Sequence, residues 1–128
     1  MRSRRPTKAE RLQIYSKFGG RCAYCGRKIE YKDMQVDHII PVCTGIGSYL
    51  VEHWEPIEIF NPSCRSCNHY KRSWDLESFR KNVTNLYDKI QKDYMVKIAL
   101  HYGLLKIGEP FCGTFLFERE NSKKEVEK

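Results

Sequence analysis

A chain of 128 residues, 41% hydrophobic and 30% charged, has the size and composition of one globular domain. No stretch approaches the ~18 consecutive apolar residues of a membrane span, and 12% aromatic residues at recurring positions exclude collagen, coiled coil and long-range disorder. The net charge of +7 is one-ended: residues 1–32 hold ten bases and two acids, while the remainder sums to −1. A basic end without an apolar face fused to it points to a polyanion partner, nucleic acid before membrane; a solvated, solubilising arm is the alternative.

In chain order, Met1 to Pro6 is basic but leads into no apolar run, so no secretory signal is expected. Thr7-Lys-Ala-Glu10 is a capping box ahead of Leu12, Tyr15 and Phe18, and it predicts a helix over 7–18 ending at Gly19-Gly20. Residues 20–32 read as a metal knuckle with a short ribbon. Gln35-Val-Asp-His-Ile-Ile40 is β-rich and stops at Pro41. Residues 43–58 read as a loop or short irregular helix, and Asn61-Pro62 as a turn. A short helix is expected over 65–72. Asp75 can N-cap a longer helix with Leu76, Phe79, Val83, Leu86 and Ile90 on one face. A second helical run, Tyr94, Met95, Ile98 and Tyr102, stops at Gly103, and its stripe is expected in the core. Phe111 to Phe117 reads as a late strand, and residues 118–128 as a frayed charged tail. The organisation is thus an N-terminal basic helix or arm (1–19), a core (20–75), C-terminal helices and a strand packed on that core (76–117) and a tail (118–128).

Six cysteines are many for this length. Without a secretion signal, a reduced, cytoplasmic state is expected rather than disulfides. Four of the six form two pairs, Cys22-Ala-Tyr-Cys25 and Cys64-Arg-Ser-Cys67. A two-residue gap lets both thiolates of a knuckle reach one ion, and two knuckles close a tetrahedral structural zinc site. Two redox CxxC motifs would need a thioredoxin-like βαβ context, which is not visible. Cys43 and Cys112 have no near partner and are expected as lone thiols.

Between the knuckles lies Asp37-His38, and directly after the second comes Asn68-His69. Adjacent residues on a strand project to opposite faces, so Asp37 could hold a metal while His38 stays free to take a proton. At this point the chain resembles the HNH endonucleases of the ββα-metal fold, in their four-cysteine phage and bacterial branch. The resemblance rests on Gly20-Arg-Cys-Ala-Tyr-Cys-Gly26, Val36-Asp-His-Ile-Ile-Pro41 and Pro62-Ser-Cys-Arg-Ser-Cys-Asn-His-Tyr-Lys71. It covers residues 20–72 and continues weakly beyond them.

The resemblance implies an α+β fold with a ββα-metal core and flanking helices. It implies that His38 is the general base, that Asp37 and Asn68 ligate one catalytic divalent ion (Mg or Mn), and that Cys22, Cys25, Cys64 and Cys67 hold structural zinc. It implies hydrolysis of DNA phosphodiesters, with DNA as partner, no membrane, and a larger phage or mobile-element assembly left open. Arg65, Lys71 and Arg72 lie close to Asn68 in sequence and are candidate phosphate contacts. One position departs from the pattern: Ile59 stands where the family usually has Asn, and Asn61 lies two residues later. The segment between His38 and the second knuckle is longer than in short family members, and it brings Glu52, His53 and Glu55 into consideration. His69 competes with Asn68 as a ligand; His101 receives no role. The rival readings are a zinc-stabilised DNA-binding module without catalysis, and a zinc scaffold contacting proteins through Tyr49 and Trp54.

Overall fold

The computed structural model describes residues 5–40 and 45–126. Helix α1 spans Lys8–Ser16, strand β1 Gln35–His38, helix α2 Gly45–His53 and the single-turn helix α3 Pro56–Ile59. Strand β2 is Phe60–Ser63, followed by helices α4 Arg65–Lys71, α5 Leu76–Lys92, α6 Tyr94–His101 and α7 Leu116–Val126. The protein is α+β with a two-stranded antiparallel sheet. The described residues up to Leu76 and from Phe115 onward form one compact unit, and Glu77–Thr114 form a second. Among the described residues no helix is long and apolar enough to cross a membrane.

Helix α1 starts where its capping box places it. Thr7 Oγ1 accepts from Glu10 N at 3.2 Å, and Glu10 Oε1 accepts from Thr7 N at 2.9 Å. Two amides without intrahelical partners are thereby satisfied. Thr7→Ala should lower stability by about 1 kcal/mol, read as a shift in the urea midpoint at constant slope. The helix buries Ile14 against Met34, Ile59 and Phe60, with Tyr15, Ile29 and Val36 at the margin of this core. Glycine is required just beyond it: Gly20 has φ +78°, and a Cβ there would lie 2.9 Å from the Tyr15 hydroxyl. That hydroxyl donates to Ile29 O at 2.8 Å and closes the ribbon onto α1.

The sheet pairs Gln35 with Ser63, Val36 with Pro62, Asp37 with Asn61 and His38 with Phe60. Asn61-Pro62 therefore lies in a strand, not in a turn. A two-stranded sheet has only edge strands, where proline is tolerated. Pro62 is also useful there, because its carbonyl accepts from Ala23 N at 2.8 Å and docks the first knuckle on β2. Of the loop or short irregular helix expected over 43–58, residues 45–53 form one regular helix and 56–59 a single turn, with Ile46 and Tyr49 exposed and Trp54 exposed between them.

The C-terminal segment differs most from expectation. Phe115 to Phe117 is a helix entry, and the charged run is helical to Val126. The aromatic run suggests a strand by side-chain preference alone. Burial decides otherwise: Leu116 N and Phe117 N, amides a helix start leaves unpaired, donate to Tyr24 O at 3.3 Å and Ala23 O at 2.8 Å. Arg21 then pairs with Glu120 at 3.3 Å. In the second unit, α6 follows an Asp93 N-cap whose Oδ1 accepts from Val96 N at 3.0 Å. Tyr94, Met95, Ile98 and Tyr102 are exposed there, not core. The half-buried face of α6 is instead Val96, Ala99 and Leu100, one helical stripe further round.

Candidate metal centre and active site

The first knuckle closes through Gly26 N donating to Cys22 O at 3.1 Å, with Gly26 at φ +81°. The second is the start of α4: Cys64 caps the helix, its Sγ accepting from Cys67 N at 3.4 Å. These two turns bring the thiols of Cys22, Cys25, Cys64 and Cys67 within 4.8 Å of one another. The Cys25–Cys64 sulfur separation is 3.9 Å. Tetrahedral zinc with Zn–S near 2.3 Å has sulfur–sulfur edges of about 3.8 Å, so the donor set and its spacing fit zinc. The thiols also respond to one another. Hydrogen bonding from Cys25 pulls the Cys22 thiol far down, while the same contact pushes Cys25 up to about 11. Cys67 is pushed up by its bonds to Cys22 and Cys25. A dication removes this competition, since each sulfur then ligates as thiolate. Cys112 belongs to the second unit, with its Sγ 3.3 Å from Thr114 O. Cys43 lies outside the described residues.

Strand alternation separates Asp37 from His38. Asp37 shares a face with Asn61, and His38 shares the other with Phe60. Asp37 is buried. Tyr24, from within the first knuckle, donates its hydroxyl to Asp37 Oδ2. Lys71, from α4, sits 3.1 Å from Oδ2 and 3.4 Å from Oδ1, and it also donates to His38 O at 3.1 Å. Burial pushes the Asp37 carboxyl above its ordinary value, and the Lys71 ammonium is the main opposing influence. Burial raises the Tyr24 phenol too, reinforced by the neighbouring carboxylate.

Lys71 is therefore not a surface group reaching for phosphate. It is 1% exposed and serves as the counter-ion of Asp37. Neither this role nor that of Tyr24 follows from the spacing, because both depend on how the knuckles fold onto β1. A tyrosine between two ligating cysteines is the one local hint.

His38 ends β1 half-buried, its ring edge-on to Phe60 with centroids 4.7 Å apart. Its Nε2 is buried and has no hydrogen-bond partner. Burial holds its pKa below the ordinary 6.5, with Asp37 pulling up and Lys71 pushing down. Asn68 is half-buried on α4, the helix that packs on β1. Asp37 and Asn68 offer oxygen donors, the type a hard divalent cation takes. On Asp37 the hydroxyl of Tyr24 and the Lys71 ammonium meet at Oδ2, and Lys71 also donates to Oδ1 at 3.4 Å, so both oxygens already have a partner.

Asn61 is fully buried, its Oδ1 accepting from Lys17 Nζ at 3.2 Å and its Nδ2 without a partner. It thus braces β2 against α1, whereas Ile59 is part of the apolar core. Arg65, His69 and Arg72 are exposed, and Arg72 ends α4 at φ +51°. Glu52, His53 and Glu55 are exposed on or beside α2, where the His53 ring stacks on Tyr49 at 4.1 Å. His101 is exposed at the end of α6. Compared with family models, with curated proteins and with solved structures, the chain finds no match.

Proposed function

We propose that this chain is a metal-dependent endonuclease of the HNH type, hydrolysing DNA phosphodiesters, with His38 as general base and one divalent ion (Mg or Mn) on Asp37 and Asn68. The observation that carries the reading is the placement of His38: strand alternation sets its ring on the face opposite Asp37, with an Nε2 that no protein group occupies. A general base needs a free nitrogen, unprotonated near pH 7 and off the metal. The order β1, β2, α4 beside a four-cysteine cluster supports a ββα-metal core. A bound divalent ion would supply charge neutralisation at the phosphate and at the leaving oxygen. The chain's own contribution is to accept the water's proton at the His38 imidazole and to hold the carboxylate and amide in place from β1 and α4. The exposed cations Arg65 and Arg72 would contact phosphates.

The test is supercoiled plasmid with purified protein and Mn²⁺ or Mg²⁺, beside His38→Ala at matched zinc content. Native protein should nick or linearise the plasmid, and the variant should lose about 10²–10⁴ of that rate. Equal cleavage by both removes His38 as the base. The pH profile at saturating metal carries the sign of the His38 shift. Protonation below the pKa abolishes the base, and burial places that pKa below 6.5. Activity should therefore be at its plateau by neutrality and fall once pH drops below that lowered pKa; a rate with no acidic limb over the whole range in which the protein stays folded counts against a histidine base.

A second reading, a zinc-stabilised DNA-binding module without catalysis, is favoured by one observation: the Lys71 ammonium already lies on Asp37, where it competes with any dication. Salt-sensitive DNA binding with no cleavage in either metal would select it.

A further inference from the structure

Helix α6 is apolar on two opposite sides. Its half-buried side is Val96, Ala99 and Leu100. At about 100° per residue, Tyr94, Ile98, Met95 and the C-cap Tyr102 fall away from these three, in an arc roughly 100° wide. Tyr94, Met95 and Tyr102 are 78%, 79% and 77% exposed, and Ile98 is 37% exposed. A helix that is apolar all round is ordinarily buried all round, so the outward stripe calls for a cover. Gly103 ends the helix at φ +70°, and Leu104 and Leu105 beyond it are exposed as well. From Tyr94 to Leu105 the sequence holds no acid and a single lysine or arginine, Lys97. Such a composition, with tyrosine and methionine in place of charge, is that of the centre of a protein interface.

We infer that this stripe is where two copies of the chain associate, their α6 helices antiparallel about a two-fold axis through Ile98. The order of the side chains is self-complementary. Tyr94 precedes Ile98 by four residues, and Tyr102 follows it by four. In a two-fold contact residue i meets residue j and j meets i. Ile98 then meets its own equivalent, and each Tyr94 meets the partner's Tyr102. The area is also of the right size. At roughly 200 Å² for an exposed tyrosine, the four side chains of the stripe offer about 600 Å², and the two leucines bring this to about 800 Å². The largest apolar patch of a typical monomer is about 300–600 Å², whereas a stable interface takes about 800 Å² from each partner. Charge points the same way. Lys97 lies outside the arc, so the stripe carries no charge pattern by which a foreign partner would be selected. The pairing requires neither the proposed activity nor a bound divalent ion.

The test is sedimentation of the full chain, loaded with zinc, over a dilution series. Native protein should reach twice the mass of one chain by about 10 μM, the weak end of the range for an interface of this area. Met95→Glu places a carboxylate in the stripe at a position exposed enough to spare the fold. It should raise the dimer dissociation constant about 10-fold or more at unchanged circular dichroism and zinc content. Tyr94→Lys and Tyr102→Glu, at two more exposed positions, should each weaken the dimer in the same way. Mixing these two variants should restore a dimer with one copy of each, because antiparallel pairing sets the introduced charges against one another. Native protein that keeps the mass of one chain up to about 1 mM overturns the self-association. A dimer that Met95→Glu leaves intact overturns its assignment to α6. Weakened single variants that do not recover on mixing overturn the antiparallel pairing about Ile98.

Discussion

Loading the four-cysteine cluster with zinc and then stripping it is expected to unfold the first unit rather than merely loosen it. The buried apolar residues of that unit include one cluster of Ile14, Met34, Ile59 and Phe60, and Tyr24, Phe115, Leu116 and Phe117 packed around the first knuckle. The knuckle at Cys22–Cys25 is joined to the start of α4 through sulfur, and to β2 through Ala23 N on Pro62 O at 2.8 Å. Structural zinc sites contribute about 10–16 kcal/mol in zinc-finger peptides. That equals or exceeds the about 5–15 kcal/mol by which whole domains are stable. Without the cation, four clustered thiols would also have to stay protonated or repel one another, as the opposed shifts of Cys22 and Cys25 indicate. A strong chelator should therefore abolish the cooperative thermal transition, with release of one equivalent of zinc per chain. Cys64→Ser should do the same, since it removes both a ligand and the cap of α4. A melting temperature unmoved by complete zinc removal would show that the cluster is not structural.

What could be read from the sequence was local in its physics. The capping box at Thr7 and Glu10 needs only four residues, and α1 starts there. The CxxC pairs need only a two-residue gap, and their thiols meet. The split of Asp37 from His38 follows from the period of two along any strand. The misreadings share a different cause: distant partners override local preference. Asn61-Pro62 has turn residues, yet its backbone is held extended by β1 and by the knuckle. The aromatic run at Phe115–Phe117 has strand residues, yet the carbonyls of Ala23 and Tyr24 take its amides and let a helix begin. Tyr94 and Met95 look like a core stripe, yet α6 turns Val96 and Leu100 inward instead. Lys71 is the plainest case. A lysine beside Arg72 reads as surface charge, and only the fold reveals that it is enclosed against a carboxylate 34 positions earlier.

That enclosure sets the other large effect. Lys71→Met keeps most of the side chain's volume but removes the ammonium from a pair whose side chains are 1% and 6% exposed. Removing one member of a buried ion pair costs about 3–5 kcal/mol, because the remaining charge is left without compensation. Here Asp37 would keep the Tyr24 hydroxyl but lose the Lys71 ammonium, and His38 O would lose a donor at 3.1 Å. The urea midpoint should fall accordingly, with the slope unchanged if the transition remains two-state. Arg65→Ala is the contrast. Arg65 is exposed, so its loss should change stability by no more than about 0.5 kcal/mol. If the proposed DNA contact is real, its loss should lower the salt slope of binding by about 1. Adding Asp37→Asn to Lys71→Met removes the stranded charge, so the double variant should be more stable than Lys71→Met alone. If Lys71→Met is as mild as Arg65→Ala, the ion pair does not hold β1 to α4. If the double variant shows no recovery, the cost lies in packing rather than in charge.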